Sequence, residues 1–478
     1  MPKPDEKGIT VKRADDMPEW YSQVIIKSGL ADYSSIKGCM VLRPYGYAVW
    51  QKIMDYFNKR LKELKVENAY FPMLIPEEFF EKEKEHAEGF APEVAWIENK
   101  DEDKARYALR PTSETIMYDS YSRWIRSWRD LPLRINQWCN IVRWEVKDVK
   151  PFLRSREFLW QEGHCVYETE EECDKEAGLI LKEYKELAEK LLAVPTIDGI
   201  KTEKEKFAGA KTTYTYESFM PDGKALQMGT SHNLGQGFAK AFNIKYIGKD
   251  KKEHLPWQNS WGISWRLIGG MVMLHSDDKG LVLPPNIAPI QIIIIPIFFD
   301  KDKNKIIKEA EKIKKSLEEF SVELDVRDEY TPGWKFNEWE MKGVPLRLEI
   351  GPRDVKQKQV VLARRDTGKK ENVKTSKLSK KVKEALNDIH NSLLKKAKKL
   401  LNDSIVEVKN FDGLMSAVKN KKMAKALFCG EIECEDWIKD KTGGATSRCI
   451  PFRQEKITGN CVHCNKKAKF WAYFARNY

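Results

Sequence analysis

The chain has 478 residues, of which 84 are Lys or Arg and 72 are Asp or Glu, a formal net charge of +12. With 41% hydrophobic residues, 15 Trp, 17 Tyr and 20 Phe, it is no disordered polyelectrolyte, and its length suggests about three domains. The most apolar run, Ile290 to Phe299, is about half of what a membrane-spanning helix needs, and Met1 to Asp16 is charged with no apolar stretch of a signal peptide, so a soluble cytoplasmic protein is expected.

In chain order, apolar residues at Val49, Ile53, Phe57, Leu61 and Leu64 have the spacing of an amphipathic helix over 46–64. Val66 to Ile75 reads as a strand interrupted by Pro72, which marks an edge or an interface. Tyr107 to Arg110 is strand-like, and Thr112, Ser113 and Glu114 after it read by default as helix caps. Arg134–Val146 and Glu157–Tyr167 read as two strands joined by a basic loop. Thr169 with Glu172 forms a capping box opening a long helix towards Leu192. Residues 200–246 read as a meander with a Pro221-Asp222-Gly223 turn, and 262–285 as strand, helix, strand. From Pro289 the elements alternate. Strands are expected over 291–296, 322–327, 345–350 and 359–365, and helices over 303–320, 333–342 and 376–401, which is the pattern of an α/β unit. A third unit follows, so the expected domains are 1–285, 286–401 and 402–478.

Charge follows this division. Residues 1–285 carry 43 basic and 45 acidic side chains, whereas 286–478 carry 41 basic and 27 acidic, so the surplus lies in the C-terminal part. That suits a polyanion partner such as nucleic acid, or equally a composition that solvates its helices with lysine.

In the strand Glu157–Tyr167, alternation sets Phe158, Trp160, Glu162, His164 and Val166 on one face. Arg143 and Glu145, two apart, are expected to share a face of the partner strand. Such a hairpin can hold a charged, partly flat ligand: an aromatic to stack, an Arg for anionic oxygens, a Glu for an ammonium or a metal. Cross-strand ion pairs on an exposed face are the plain alternative. Gln227 to His232 combines close backbone approach at Gly229 with polar side chains, and Arg266 interrupts an apolar run, which is costly without an anion. The chain lacks the phosphate loop GxxxxGK[ST], the GxSxG elbow and a complete dinucleotide fingerprint. No Ser-His or Cys-His pair stands out, so an enzyme here would position and neutralise charge and let its substrates supply the nucleophile.

Cysteines crowd the C-terminus. Cys429-x4-Cys434, 26 residues, then Cys461-x2-Cys464 gives two thiolate pairs with zinc-like spacing, a structural site if closed. Cys449 reads as a buried spare, and His463 could replace one ligand.

Taken together and in this order, Arg110-Pro111-Thr112-Ser113-Glu114, Asn136-Gln137-Trp138-Cys139-Asn140, Phe152 to Phe158 and Gln161-Glu162-Gly163-His164 resemble a known family. So do Gly229-Thr230-Ser231-His232, Pro332-Gly333-Trp334-Lys335-Phe336 and Cys429-Gly430-Glu431. From Trp20 to Tyr478 the chain resembles the prolyl-tRNA synthetases of the archaeal/eukaryotic type, class II aminoacyl-tRNA synthetases. The resemblance implies an α+β catalytic domain with an antiparallel sheet and helices, an α/β anticodon-binding domain, and a C-terminal α/β zinc-binding domain. It also implies a homodimer through the Pro72 region and a two-step reaction. Proline carboxylate attacks the α-phosphorus of ATP, and a ribose hydroxyl at the 3′ end of tRNA(Pro) then takes the prolyl group.

On the same resemblance, Arg143 would hold the α-phosphate and carboxylate, Phe158 would stack on adenine and Arg266 would clamp the γ-phosphate. Arg154, Glu145, Gln227, Thr230 and Ser264 would complete the nucleotide and Mg2+ contacts. Thr112 and Glu114 would take the imino group of L-proline, in a pocket with Phe90, Trp160, Glu162, His164 and His232. Phe336, Glu340 and Asp354 would meet anticodon bases. Cys429, Cys434, Cys461 and Cys464 would bind Zn2+, and the terminal Tyr478 would dock on the catalytic domain. Trp265 stands where relatives have a smaller residue, often Thr. The 72 residues between Phe158 and Ser231 leave no room for the editing domain of bacterial-type relatives. An inactive synthetase-like RNA binder and a class II enzyme for another amino acid are the rival readings.

Overall fold

The computed structural model describes residues 8–84, 93–98 and 106–478. Its framework is a mainly antiparallel sheet, with parallel pairs at both edges, packed by helices. The helix Pro44–Glu63 buries Val49, Trp50, Ile53, Phe57 and Leu61, its expected apolar stripe. Together with the helices Glu170–Lys190 and Arg266–His275 it fills the largest apolar core. Thr169 caps the second of these helices by accepting from the Glu172 amide at 3.2 Å.

Among the described residues the sheet has eleven strands. From one edge they run Ile405–Val408, Met423–Phe428, Phe470–Asn477, Thr446–Pro451, Ile197–Ile200, Thr212–Phe219, Lys224–Gly235, Trp257–Ser264, Glu157–Tyr167, Leu133–Val142 and Glu67–Asn68. The expected hairpin pairs from Leu133↔Val166 to Val142↔Glu157. Its first strand ends at Val142, so Arg143 and Glu145 lie in the turn beyond it and strand alternation does not relate them. The expected strand 66–75 is split. Glu67–Asn68 pairs with Ile135–Asn136 in the main sheet, whereas Leu74–Pro76 pairs with Tyr107–Leu109 in another. Pro72, with no N–H to give a ladder, lies where the chain leaves the first sheet. The last strand expected within 262–285 does not form; after the helix Arg266–His275 there is only the bridge Asp277↔Gly280. Pro284 and Pro285 remove two ladder donors from that stretch.

Residues 292–374 form a second sheet in the order Val322–Leu324, Ile292–Pro296, Leu346–Ile350, Gln359–Arg364 and Lys370–Lys374. Its first three strands are parallel and its last two antiparallel. The helices Lys303–Ser316 and Leu378–Ser404 bury their apolar stripes on it. The short helix Pro352–Lys356 and the strand Lys370–Lys374, too brief and polar to show a period, were not foreseen. The C-terminal strands do not stand apart from the main sheet: Ile450 pairs with Ile200, and Arg476 with Lys224.

Candidate active site

Where the central strands meet the turn after Val142, they enclose a cavity of about 250 Å³. Twelve of the nominated residues line it: Thr112, Glu114, Arg143, Phe158, Trp160, Glu162, His164, Gln227, Thr230, His232, Ser264 and Arg266. Glu145 and Arg154 are exposed and outside its lining, and Phe90 lies outside the described residues. The face predicted from alternation along Glu157–Tyr167 is therefore the cavity wall, apart from Val166, which packs into a neighbouring core.

One end of the cavity is acidic. The helix Glu114–Trp124 begins after Ser113, but Ser113 makes no side-chain cap; its hydroxyl instead bonds Glu162. Glu162 also accepts from Gln137 Nε2 at 3.0 Å and from the Ser113 amide at 3.2 Å, and it faces His164 Nε2 at 3.1 Å. Burial works against its charge, yet the His164 bond and these donors hold the carboxyl below its ordinary range. His164, tied through Nδ1 to the Tyr118 hydroxyl at 3.1 Å, is pushed up by the Glu162 bond and the charge of Glu114, against its burial. Glu114, bonded by Thr112, is raised by burial. Two carboxylates and one imidazole thus converge within 4.8 Å, which suits a small cationic group such as an ammonium. The default reading of Thr112, Ser113 and Glu114 as caps is overturned, because all three side chains point to this cluster.

The other end is basic. The Arg143 guanidinium lies 5.6 Å from the Phe158 ring and 5.8 Å from the Trp160 ring. The Arg266 guanidinium donates to two backbone oxygens, Leu153 at 3.2 Å and Gln227 at 3.3 Å. Removal from water, with Arg143 nearby, pushes it down to about 10. Glu217 offsets only part of this, and an anionic oxygen would relieve the rest. Trp265, beside it, is buried edge-on against Phe152 at 5.4 Å, so the larger residue is accommodated as core. Gly229 is a true close approach: a Cβ there would stand 2.9 Å from the Gly262 oxygen.

Lys201, Glu205, Phe207, Thr213 and Trp261 also line the cavity and were not nominated. Thr213 could have been found as a partner of His232, whose Nδ1 lies 2.9 Å from its hydroxyl, only once the register Thr213↔His232 was known.

Cys429, Cys434, Cys461 and Cys464 bring their sulfurs within 4.8 Å of one another. The Cys464–Cys429 separation of 3.8 Å matches the edge of a tetrahedron with metal–sulfur bonds of about 2.3 Å. His463 instead stacks on Trp437 at 3.8 Å, and Cys449 is buried in the strand Thr446–Pro451. Among the described residues the group consists of these four cysteines alone, which fits a closed zinc site.

In the second sheet unit Phe336 lies under Arg347 at 4.2 Å and near Lys370. Glu340 pairs with Lys279 at 3.1 Å, and Asp354 caps the helix Pro352–Lys356 by accepting from the Gly351 amide at 2.9 Å. Both carboxylates therefore already have partners. The Tyr478 ring docks against Lys150 and Lys224 of the catalytic part, at 5.2 and 5.3 Å.

Residues 96–273 match the family tRNA synthetase class II core domain (G, H, P, S and T), residues 291–385 the anticodon binding domain, and residues 411–478 the family Prolyl-tRNA synthetase, C-terminal. The chain is 51% identical to a proline–tRNA ligase of Alkaliphilus oremlandii over 97% of its length and 96% of that protein. It is 49% identical to one of Natranaerobius thermophilus, over 99% and 98%. A crystal structure of prolyl-tRNA synthetase from Cryptosporidium parvum, complexed with halofuginone and AMPPNP, superposes with a TM-score of 0.94 at 45% identity, covering 99% of this chain and all of that one.

Proposed function

Because the chain belongs to the prolyl-tRNA synthetases, and is a proline–tRNA ligase of class II that uses ATP, we propose that the cavity between the central strands performs both steps of its reaction. The observation that carries this reading is the polarity of that cavity, with Glu114, Glu162 and His164 at one end and Arg143 and Arg266 at the other. Proline is a zwitterion and ATP a polyanion, and this arrangement orients them with the carboxylate towards the phosphates.

In the first step a proline carboxylate oxygen bonds to the α-phosphorus and pyrophosphate leaves. Thr112 and Glu114 take the imino nitrogen, whose positive charge holds Glu114 ionised against its burial. Glu162, His164, Trp160 and His232 wall the ring, and Phe90 is assigned to the same pocket. Arg143 spans the attacking carboxylate and the α-phosphate, Phe158 stacks on adenine, and Arg266 meets the γ-phosphate. Arg154, Glu145, Gln227, Thr230 and Ser264 would complete the nucleotide and magnesium contacts, where magnesium would supply neutralisation of phosphate charge. In the second step a ribose hydroxyl of tRNA(Pro) attacks the prolyl carbonyl and AMP leaves. Neither step needs a protein nucleophile.

Zinc is assigned to Cys429, Cys434, Cys461 and Cys464, and anticodon contact to Phe336, Glu340 and Asp354. For the two carboxylates, contact requires that they give up Lys279 and the Gly351 amide. Exposed Tyr70, Met73 and Leu74 beside Pro72 support a homodimer through that segment. Domains over 1–285, 286–401 and 402–478, and a cytoplasmic location, complete the reading. Among the described residues no helix is long and apolar enough to cross a membrane. Between the strands Glu157–Tyr167 and Lys224–Gly235 the chain forms one helix and two strands, so the protein should not hydrolyse alanyl-tRNA.

Amino-acid-dependent ATP–pyrophosphate exchange with all twenty amino acids tests the first step. Exchange should be fastest with proline, and its absence with proline would overturn the reading.

A further inference from the structure

A charged cluster beneath the cavity has no role in the account above. Glu217, Arg448 and Lys201 are 0%, 2% and 7% exposed. Arg448 grips Glu217 at two points, Nε to Oε2 at 2.9 Å and Nη2 to Oε1 at 3.1 Å, and its Nη1 donates to Thr446 Oγ1 at 2.9 Å. Lys201 binds the same carboxylate and also the Arg448 carbonyl oxygen at 2.8 Å. A second latch lies beside it: Glu435 accepts from Thr202 Oγ1 at 2.8 Å and from the Ser447 amide at 3.1 Å. Arg448, Ser447 and Glu435 belong to the C-terminal part, whereas Glu217, Lys201 and Thr202 belong to the catalytic part.

Two cations to one buried anion is a poor way to gain stability, since desolvation offsets much of the attraction. The place of the cluster is more telling. Lys201 lines the cavity. Glu217 is paired with Gln227 across the adjacent strands, at a register shift of the kind that re-aims a side chain. Gln227 in turn lines the cavity and offers its backbone oxygen to Arg266. Of the charges that bear most on Arg266, three are arginines, Arg143, Arg154 and Arg448, and one, Glu217, is acidic.

We propose that Arg448 is a positioning residue for the nucleotide end of the cavity, contributed by the C-terminal part. Its two-point grip holds Glu217 and, across the strand pair, fixes Gln227 and Arg266 where the triphosphate binds. The C-terminal strands are then a wall of the catalytic apparatus as well as a metal-binding appendage. The inference rests on the assignment of Arg266 to the nucleotide.

The full chain is tested in the exchange assay with proline. Arg448→Lys keeps the charge but cannot make the planar two-point grip, and Arg448→Met removes both. The apparent KM for ATP should rise at least fivefold in Arg448→Met and at least twofold in Arg448→Lys, with the KM for proline within twofold of the parent. A structural role alone would lower the thermal midpoint and move both KM values together. Equal rises in both, or an unchanged KM for ATP in folded Arg448→Lys, would overturn the proposal; should Arg448→Met not fold, Arg448→Lys decides by itself. Arg266→Met in the same assay separates the two failures. If it leaves ATP binding intact, the assignment of Arg266 fails; if it impairs ATP while Arg448→Lys does not, only the present inference fails.

Discussion

At Arg266, the role proposed in the nucleotide site and the cost of a half-buried charge oppose each other. Its half-buried guanidinium lies among other arginines with Glu217 as the acidic charge that bears on it, so without nucleotide its charge is only partly compensated. Arg266→Met should therefore leave the thermal midpoint unchanged or higher while lowering exchange at least a hundredfold; calorimetry and the exchange rate read the two effects independently. His275 shows the converse, a titratable group with no place in the site. Burial pushes it down to about 4, with lesser contributions from His390, Lys396 and Arg13 opposing its bond to the Leu192 oxygen at 2.9 Å. Its folded value lies below the unfolded value of about 6.5. Its contribution to stability is therefore full above that unfolded value and lost as pH falls towards about 4, at about 1.4 kcal/mol per pH unit. Denaturant titrations at pH 6.5 and 5.0 should show a smaller loss in His275→Gln than in the parent.

At the scale of elements, the cavity exists because neighbouring strands present alternate side chains to one face, and the turn after Val142 brings an arginine over them. The cluster of four cysteines joins a strand, a helix and a loop. Cys429 follows the strand Met423–Phe428, Cys434 lies in the helix Ile432–Thr442, and Cys461 and Cys464 lie in the loop before the strand Phe470–Asn477. All of these pack in one small core. A chelator should therefore lower the thermal midpoint by several degrees, with metal release measured alongside, and at low temperature exchange with proline should persist after the metal has gone. Loss of exchange in step with metal release would contradict a purely structural metal.

For the whole molecule, charge is divided between the parts that meet different partners. The catalytic part is near neutral, while residues 286–478 carry the surplus of lysine and arginine. Where those side chains meet tRNA phosphates, binding would release counterions. The KM for tRNA(Pro) in charging should therefore rise steeply between 50 and 200 mM salt on the order of tenfold or more, while exchange, which needs no tRNA, changes little. A loss of exchange in parallel with the loss of charging would place the salt effect in the cavity rather than on the tRNA-binding surface.

Local regularities were legible in the residues alone. The period of two along Glu157–Tyr167 set Phe158, Trp160, Glu162 and His164 together, and cysteine spacing marked the four cysteines that converge, because both patterns are written in the order of the chain. Resemblance supplied the family and its reaction. The point where a strand ends was not legible, which is why Arg143 and Glu145 were first set on a common face. Nor was the use of Ser113, whose hydroxyl serves Glu162 instead of the helix end, 49 residues away in sequence. Least visible of all were Lys201, Glu217 and Arg448, the last two 231 residues apart. Nothing in the pattern of a chain says which buried charges will share one carboxylate; that is decided by the pairing of distant strands, and only the tertiary structure contains it.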